Sequence, residues 1–107
     1  MGINSTEVSY GFGQLGSGFL DDTGALTPPT GMVIVGIDCQ TDVTFTTLTA
    51  DVVSDAAYIG TAAQVALNGA NSEAIDSSNT FPKGKVLFGR WTAVTLATGS
   101  AIVYYGR

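Results

Sequence analysis

Residues 81–105 leave this chain little alternative to β-structure. Phe81-Pro82-Lys83-Gly84 has the chemistry of a turn, with proline presetting φ and glycine accepting a positive value. Residues 85–97 then read as one long strand. Val86, Phe88, Thr92, Val94 and Leu96 mark its even positions, and Arg90 interrupts them, so a bulge is expected at Gly89. Thr98-Gly99-Ser100 reads as a tight turn and residues 101–105 as a closing strand, so the two strands are expected to pair as a C-terminal hairpin. Upstream, residues 32–38 form a near-continuous apolar run, the pattern of a strand buried on both faces. Residues 43–49 (VTFTTLT) read as another strand, with residues 38–42 as the turn joining the pair into a second hairpin. Residues 50–80 are mixed. Ala56, Ala57, Ala62, Ala63 and Ala66 favour helix, whereas Tyr58-Ile59 suits a short strand and Asn68-Gly69 a hairpin turn.

The composition agrees with an all-β domain. The 107 residues include 14 Gly and 14 Thr, 45% are hydrophobic and only 12% are charged. A low charge share with this much apolar content argues against disorder. One domain of this length buries enough surface to fold without a disulfide or metal staple. The expected architecture is a small β-sandwich or jelly-roll-like barrel over residues 32–107, preceded by an extended Gly-rich arm over residues 1–31. The arm carries seven glycines, ends at Pro28-Pro29, and shows no sustained period of 2 or 3.6. It nevertheless holds Tyr10, Phe12, Leu15, Phe19 and Leu20. A segment that always stayed in water would not need them, so these five are expected to dock on the domain or on a partner.

Several function classes are disfavoured by what the chain contains. It has no His, which removes Ser-His-Asp and Cys-His catalysis and His-containing metal sites. The single Cys39 excludes an intramolecular disulfide, and four-thiolate sites need more sulfur. A net charge of −5 disfavours nucleic acid and anionic membranes as partners. The first ten residues lack the pattern of a signal peptide and no apolar run is long enough to span a bilayer, so synthesis in the cytoplasm is expected. All nine acidic residues precede Lys83, and all four basic residues, Lys83, Lys85, Arg90 and Arg107, follow. Lys83, Lys85 and Arg90 are either a solvated, pairing-resistant strand edge or an electrostatic contact for an acidic partner.

The motifs that suggest chemistry fail in context. Gly11-Phe12-Gly13-Gln14-Leu15-Gly16 matches G-x-G-x-x-G, but no buried strand precedes it, and Gly18, Gly24, Pro28 and Pro29 forbid the helix that must follow. Asp38, Asp42, Asp51 and Asp55 lack the spacing of a calcium loop and read as turn carboxylates. No catalytic, cofactor or metal residue is assigned, and the chain is read as non-enzymatic. Trp91, Tyr58, Tyr104 and Tyr105 are aromatics for cross-strand packing or, alternatively, for a sugar-stacking platform.

Three segments carry a resemblance: Thr80-Phe81-Pro82-Lys83-Gly84, then Gly89-Arg90-Trp91-Thr92-Ala93-Val94-Thr95-Leu96, then Gly99-Ser100-Ala101-Ile102-Val103-Tyr104-Tyr105-Gly106. They resemble the C-terminal signature of small virion structural proteins of tailed bacteriophages, marine and cyanobacterial phages in particular. The likeness covers about residues 31–107 and leaves out the arm. It implies a capsid decoration (cement) protein that binds the outer head surface beside the major capsid protein, or else a tail, collar or fibre component. It brings no catalytic residues. A decoration role implies a homo-oligomer, a trimer at a symmetry axis being the favoured form, in which many weak contacts add to useful avidity. A carbohydrate-binding virion surface module is the remaining alternative.

Overall fold

The computed structural model describes residues 15–53, 56–61, 68, 69 and 71–107. None of these residues is helical, and the fold is all-β. The strands are β1 (Ser17–Leu20), β2 (Val33–Cys39), β3 (Thr44–Ala50), β4 (Val52–Val53), β5 (Ala56–Ala57), β6 (Val86–Thr98) and β7 (Ala101–Gly106). Five of them form one antiparallel sheet in the order β1-β7-β2-β6-β3, and β4 and β5 make a separate small ribbon.

The four long strands fall within a residue or so of where their β-branched runs place them, but their partners differ from those expected. β2 and β3 do not pair with each other, because β6 lies between them. β6 and β7 do not form the C-terminal hairpin, because β2 lies between them. The cause is a bend in β6. Trp91 stands beside Ile34 near one end of β2, whereas Ala101 stands beside Cys39 at the other end. A straight run from Trp91 to Thr98 would move the chain about 23 Å further from Cys39. Thr98 is only three residues from Ala101, so β6 doubles back. Its first half pairs with β2 and its second half with β3. The ladder slips at the bend, where Gly89 and Arg90 face Val35 alone, which is where the bulge was expected.

Doubling back brings the inner faces of the two halves of the sheet together. Ile34, Ile37, Leu87, Trp91, Ala101, Val103 and Tyr105 come from one half, and Phe45, Leu48, Val94 and Leu96 from the other; all belong to one buried cluster. Phe81 packs against it, edge-on to Phe45 with ring centroids 5.4 Å apart. The 98–100 turn seals one end. Gly99 sits at φ +92, and a Cβ there would run into the Asp42 carbonyl oxygen, so only glycine fits. The neighbouring Ser100 amide donates to Thr41 Oγ1 at 3.0 Å. The 81–84 turn forms as its residues dictate, with the Lys85 amide donating to the Pro82 carbonyl at 3.0 Å.

The free side of β3 is capped. Val43 and Phe81 exchange backbone hydrogen bonds at 2.8 Å, and the Thr61 amide and hydroxyl meet the Leu48 carbonyl and amide, both at 2.9 Å. The segment expected as an arm enters the sheet from residue 17 onward. β1 lies along β7, Leu20 joins the core, and Leu26 exchanges backbone hydrogen bonds with Val94. Residues 1–14, with Tyr10 and Phe12, lie outside the described residues.

Candidate functional site

The outward side of the β1-β7-β2-β6 half is where the apolar pattern is left over. Strand periodicity sends alternate residues to opposite faces. Ala101, Val103 and Tyr105 point into the core, so Ile102 and Tyr104 point out. Leu20 points in, so Phe19 points out. The registers then set two rows across the outer face. One row runs Ser17, Tyr104, Gly36, Phe88. The next runs Phe19, Ile102, Asp38, Val86. Val35, Gly36, Asp38, Val86, Phe88 and Tyr104 line an open groove of about 240 Å³. Gly36 supplies no side chain to the row; it is buried, and the Tyr104 ring lies beside it, 3.5 Å from where a Cβ would stand. Phe19 is 63% exposed and Phe88 66%.

This face corrects the reading of residues 32–38. The apolar run does not mean burial on both faces; Ile34, Ile37 and Cys39 are buried, while Val33, Val35 and Asp38 are only half-buried. The strand is apolar on both faces, and the described residues bury one of them. The outer face of the other half differs in kind. Thr47, Thr49, Ala93 and Thr95 lie there, a flat surface of small side chains.

The structure separates the residues singled out in the sequence. Of the five expected anchors, Leu20 is in the core of its own domain, Leu15 is half-buried, and Phe19 lies on the outer face. Of the three expected cationic contacts, Arg90 is engaged internally. Its Nε donates to Asp51 Oδ2 at 3.1 Å and its Nη1 to the Arg107 carbonyl at 2.7 Å. Lys83 and Lys85 are exposed, and neither is in an ion pair with a described residue. Trp91, around which a sugar platform would be built, is wholly buried, and its Nε1–H donates to the Ile59 carbonyl at 2.6 Å. Gly16, the last glycine of the G-x-G-x-x-G match, leads into a strand and not a helix. Several carboxylates serve turns: Asp22 accepts from the Gly24 amide, Asp42 from the Lys83 amide, and Asp76 from the Ser78 amide and hydroxyl. The two Ser78 bonds hold the Asp76 carboxyl below its usual range. Sequence reading missed the outer face as a unit, although the unbroken run at 32–37 was its trace.

Burial pushes the Cys39 thiol above its ordinary 9.0, and the Asp38 carboxylate adds to the shift. Burial also raises the Tyr105 phenol from its ordinary 10.0. Both groups stay neutral in the fold where the unfolded chain would ionise them. Their stabilisation is therefore fully present below the unfolded values and lost as pH rises through the folded ones. Urea titrations are expected to give constant stability from these two groups between neutral pH and the Cys39 ordinary value of 9.0, then a decline. In Cys39→Ser the decline begins nearer the ordinary 10.0 of Tyr105. A stability that rises through this alkaline range would contradict both assignments.

Comparison of the chain with protein-family models, with curated proteins and with solved structures finds no match.

Proposed function

We propose that this chain is a non-enzymatic decoration (cement) protein of a tailed-bacteriophage head, made in the host cytoplasm and seated on the outer capsid surface, where it bridges subunits of the major capsid protein. The observation that carries the reading is the outer face built around Phe19 and Phe88. Exposed apolar surface of this kind, rimmed by polar residues, marks a docking surface, and two phenylalanines that are each about two-thirds exposed give it anchors. The resemblance to small phage virion proteins supplies the partner. The residues that carry it are those that make the fold: the 81–84 turn, the Gly99 turn, and the core positions Trp91, Val94, Leu96, Val103 and Tyr105.

In this reading the two halves of the folded-over sheet act as the layers of a small sandwich of jelly-roll type. Tyr10, Phe12 and Leu15 add contacts to neighbouring subunits from the N-terminal arm, and Lys83 and Lys85 face acidic surface on a neighbour. The copies assemble as a homo-oligomer, a trimer at a capsid symmetry axis.

Quantitative mass spectrometry of purified particles tests the reading. The expected ratio to coat protein is near one, or a simple fraction set by the symmetry axes. A handful of copies per particle would move the chain to the tail, collar or fibres. Absence from particles would remove the virion reading.

A further inference from the structure

The two edges of the main sheet are finished differently. β3 is capped, by Phe81 at Val43 and by Thr61 at Leu48. β1, at the other edge, pairs with β7 on one side and with no described strand on the other. The phase of the β1–β7 ladder decides which backbone groups this leaves. The Tyr105 amide donates to the Gly16 carbonyl at 2.9 Å, so Gly16, and by alternation Gly18 and Leu20, turn their N–H and C=O groups toward β7. Ser17 and Phe19 therefore turn theirs away from the sheet, and both residues are exposed. Sheet edges are usually blunted by a charge, a proline or a bulge. Ser17-Gly18-Phe19-Leu20 has neither charge nor proline, and its register with β7 runs without a shift.

We infer that β1 is a strand-addition site and that its partner is β1 of a second copy of this chain, paired antiparallel about a twofold axis at Gly18. The edge is complementary to itself in that arrangement. Ser17 of each copy meets Phe19 of the other, and every outward N–H of one copy meets an outward C=O of its partner. Gly18 faces Gly18 at the axis, a non-hydrogen-bonded pair with roughly 4.5 Å between Cα atoms, and neither residue has a side chain to crowd the other. A parallel pairing would set Asp21 beside Asp21 and Asp22 beside Asp22, whereas the antiparallel one sends these carboxylates to opposite ends. The contact is a few residues a side, against roughly 20–30 in a stable interface. It is therefore weak between free molecules and effective where copies are already held side by side. The inference rests on the proposed function for its purpose. Copies set on threefold axes of a closed shell have twofold axes between them, so β1 pairing ties one oligomer to the next. It uses the backbone of β1 and leaves its outward side chains on the face that meets the coat.

The test is nuclear magnetic resonance on the full-length chain at millimolar concentration, with equal amounts of carbon-13-labelled and unlabelled molecules. Isotope-filtered Overhauser contacts are expected between the Gly18 Hα protons of the two populations, the signature of a close antiparallel pair. The Ser17 and Phe19 amide signals are expected to shift with concentration, and those of Thr47 and Thr49 to stay fixed. Ser17→Pro removes an outward N–H and none of the bonds to β7. With buried Trp91 emission as its check of folding, it is expected to lose the filtered contacts and roughly tenfold or more in self-association, since each copy gives up a hydrogen bond. If that variant does not fold, the wild-type contacts decide by themselves. Absence of filtered contacts would overturn the pairing, and contacts in another register would overturn the twofold axis at Gly18. Concentration-dependent shifts centred on Val86 and Tyr104 would move the contact to the outer face, and shifts at Ser17 and Phe19 that appear only with shells would give the edge to a coat segment; either overturns the inference. Binding to shells is scored separately. β1 contacts without shell binding would overturn the proposed function and leave the pairing in place, whereas shell binding without β1 contacts would do the reverse.

Discussion

Trp91→Ala is expected to destabilise the domain by about 3–5 kcal/mol, the range for removing a large aromatic from a packed core. Trp91 is the largest wholly buried side chain, and it sits at the bend of β6, where the two halves of the sheet meet. Its loss would leave a cavity bordered from both sides and leave the Ile59 carbonyl without its donor. Domains of this size have total stabilities of roughly 5–15 kcal/mol, so the variant sits near the edge of folding. Urea denaturation followed by far-ultraviolet circular dichroism reads the effect, since the variant has no tryptophan to report. With a slope of roughly 1–3 kcal/mol per molar urea, the midpoint falls by one molar or more. Trp91→Phe keeps most of the packing and loses the hydrogen bond, so it is expected to cost about a third as much. A cost below about 1 kcal/mol for the alanine variant would mean that the bend is not a packed junction.

Phe88→Glu is expected to have the opposite profile. The side chain is two-thirds exposed, so the fold loses little, within roughly 0.5–1 kcal/mol. If the chain has the proposed decoration role, its binding to coat shells that lack it is expected to weaken at least about 30-fold, the loss of one hot-spot anchor worth 2 kcal/mol or more. The glutamate also brings a negative charge beside Asp38, across the groove row from Val86. Phe19→Glu acts in the same direction. Thr47→Glu, on the outer face of the other half, is the control and leaves binding unchanged. Co-sedimentation with shells gives all three values. Equal weakening by Thr47→Glu would assign the effect to net charge and not to the phenylalanine face.

The four long strands could be read from the sequence and their partners could not. Runs such as 43–49 and 85–97 announce themselves by β-branched residues, because that is a local property of the backbone they suit. The turn at Thr98-Gly99-Ser100 is also local, and it reads as a hairpin turn. What it connects depends on the bend at Trp91, seven residues earlier, and the bend depends on Ile34 and Ala50, which are distant in sequence. β1 was hidden for a different reason. Gly16 and Gly18 erase the alternation that Phe19 and Leu20 would otherwise show. A Cβ at Gly18 would stand 2.5 Å from the Tyr105 hydroxyl, so a larger residue there would have to displace the end of that ring. The outer face was half legible. An apolar run says that both faces of β2 want cover, but only the register says that Phe19, Tyr104 and Phe88 share its outer side.

The strand order also governs how the chain acquires its structure. Among the described residues, apart from the β4–β5 ribbon, no two consecutive strands pair; β1 waits for β7, and β2 waits for β6. Each main ladder closes a loop of about forty residues or more before it returns any energy, the regime of slow, non-local folding. A nascent chain that has not yet released residues 101–106 can form neither the β1–β7 nor the β2–β7 ladder. The sheet therefore closes only once residues 101–106 are available, and their loss would undo the first strand as surely as the last.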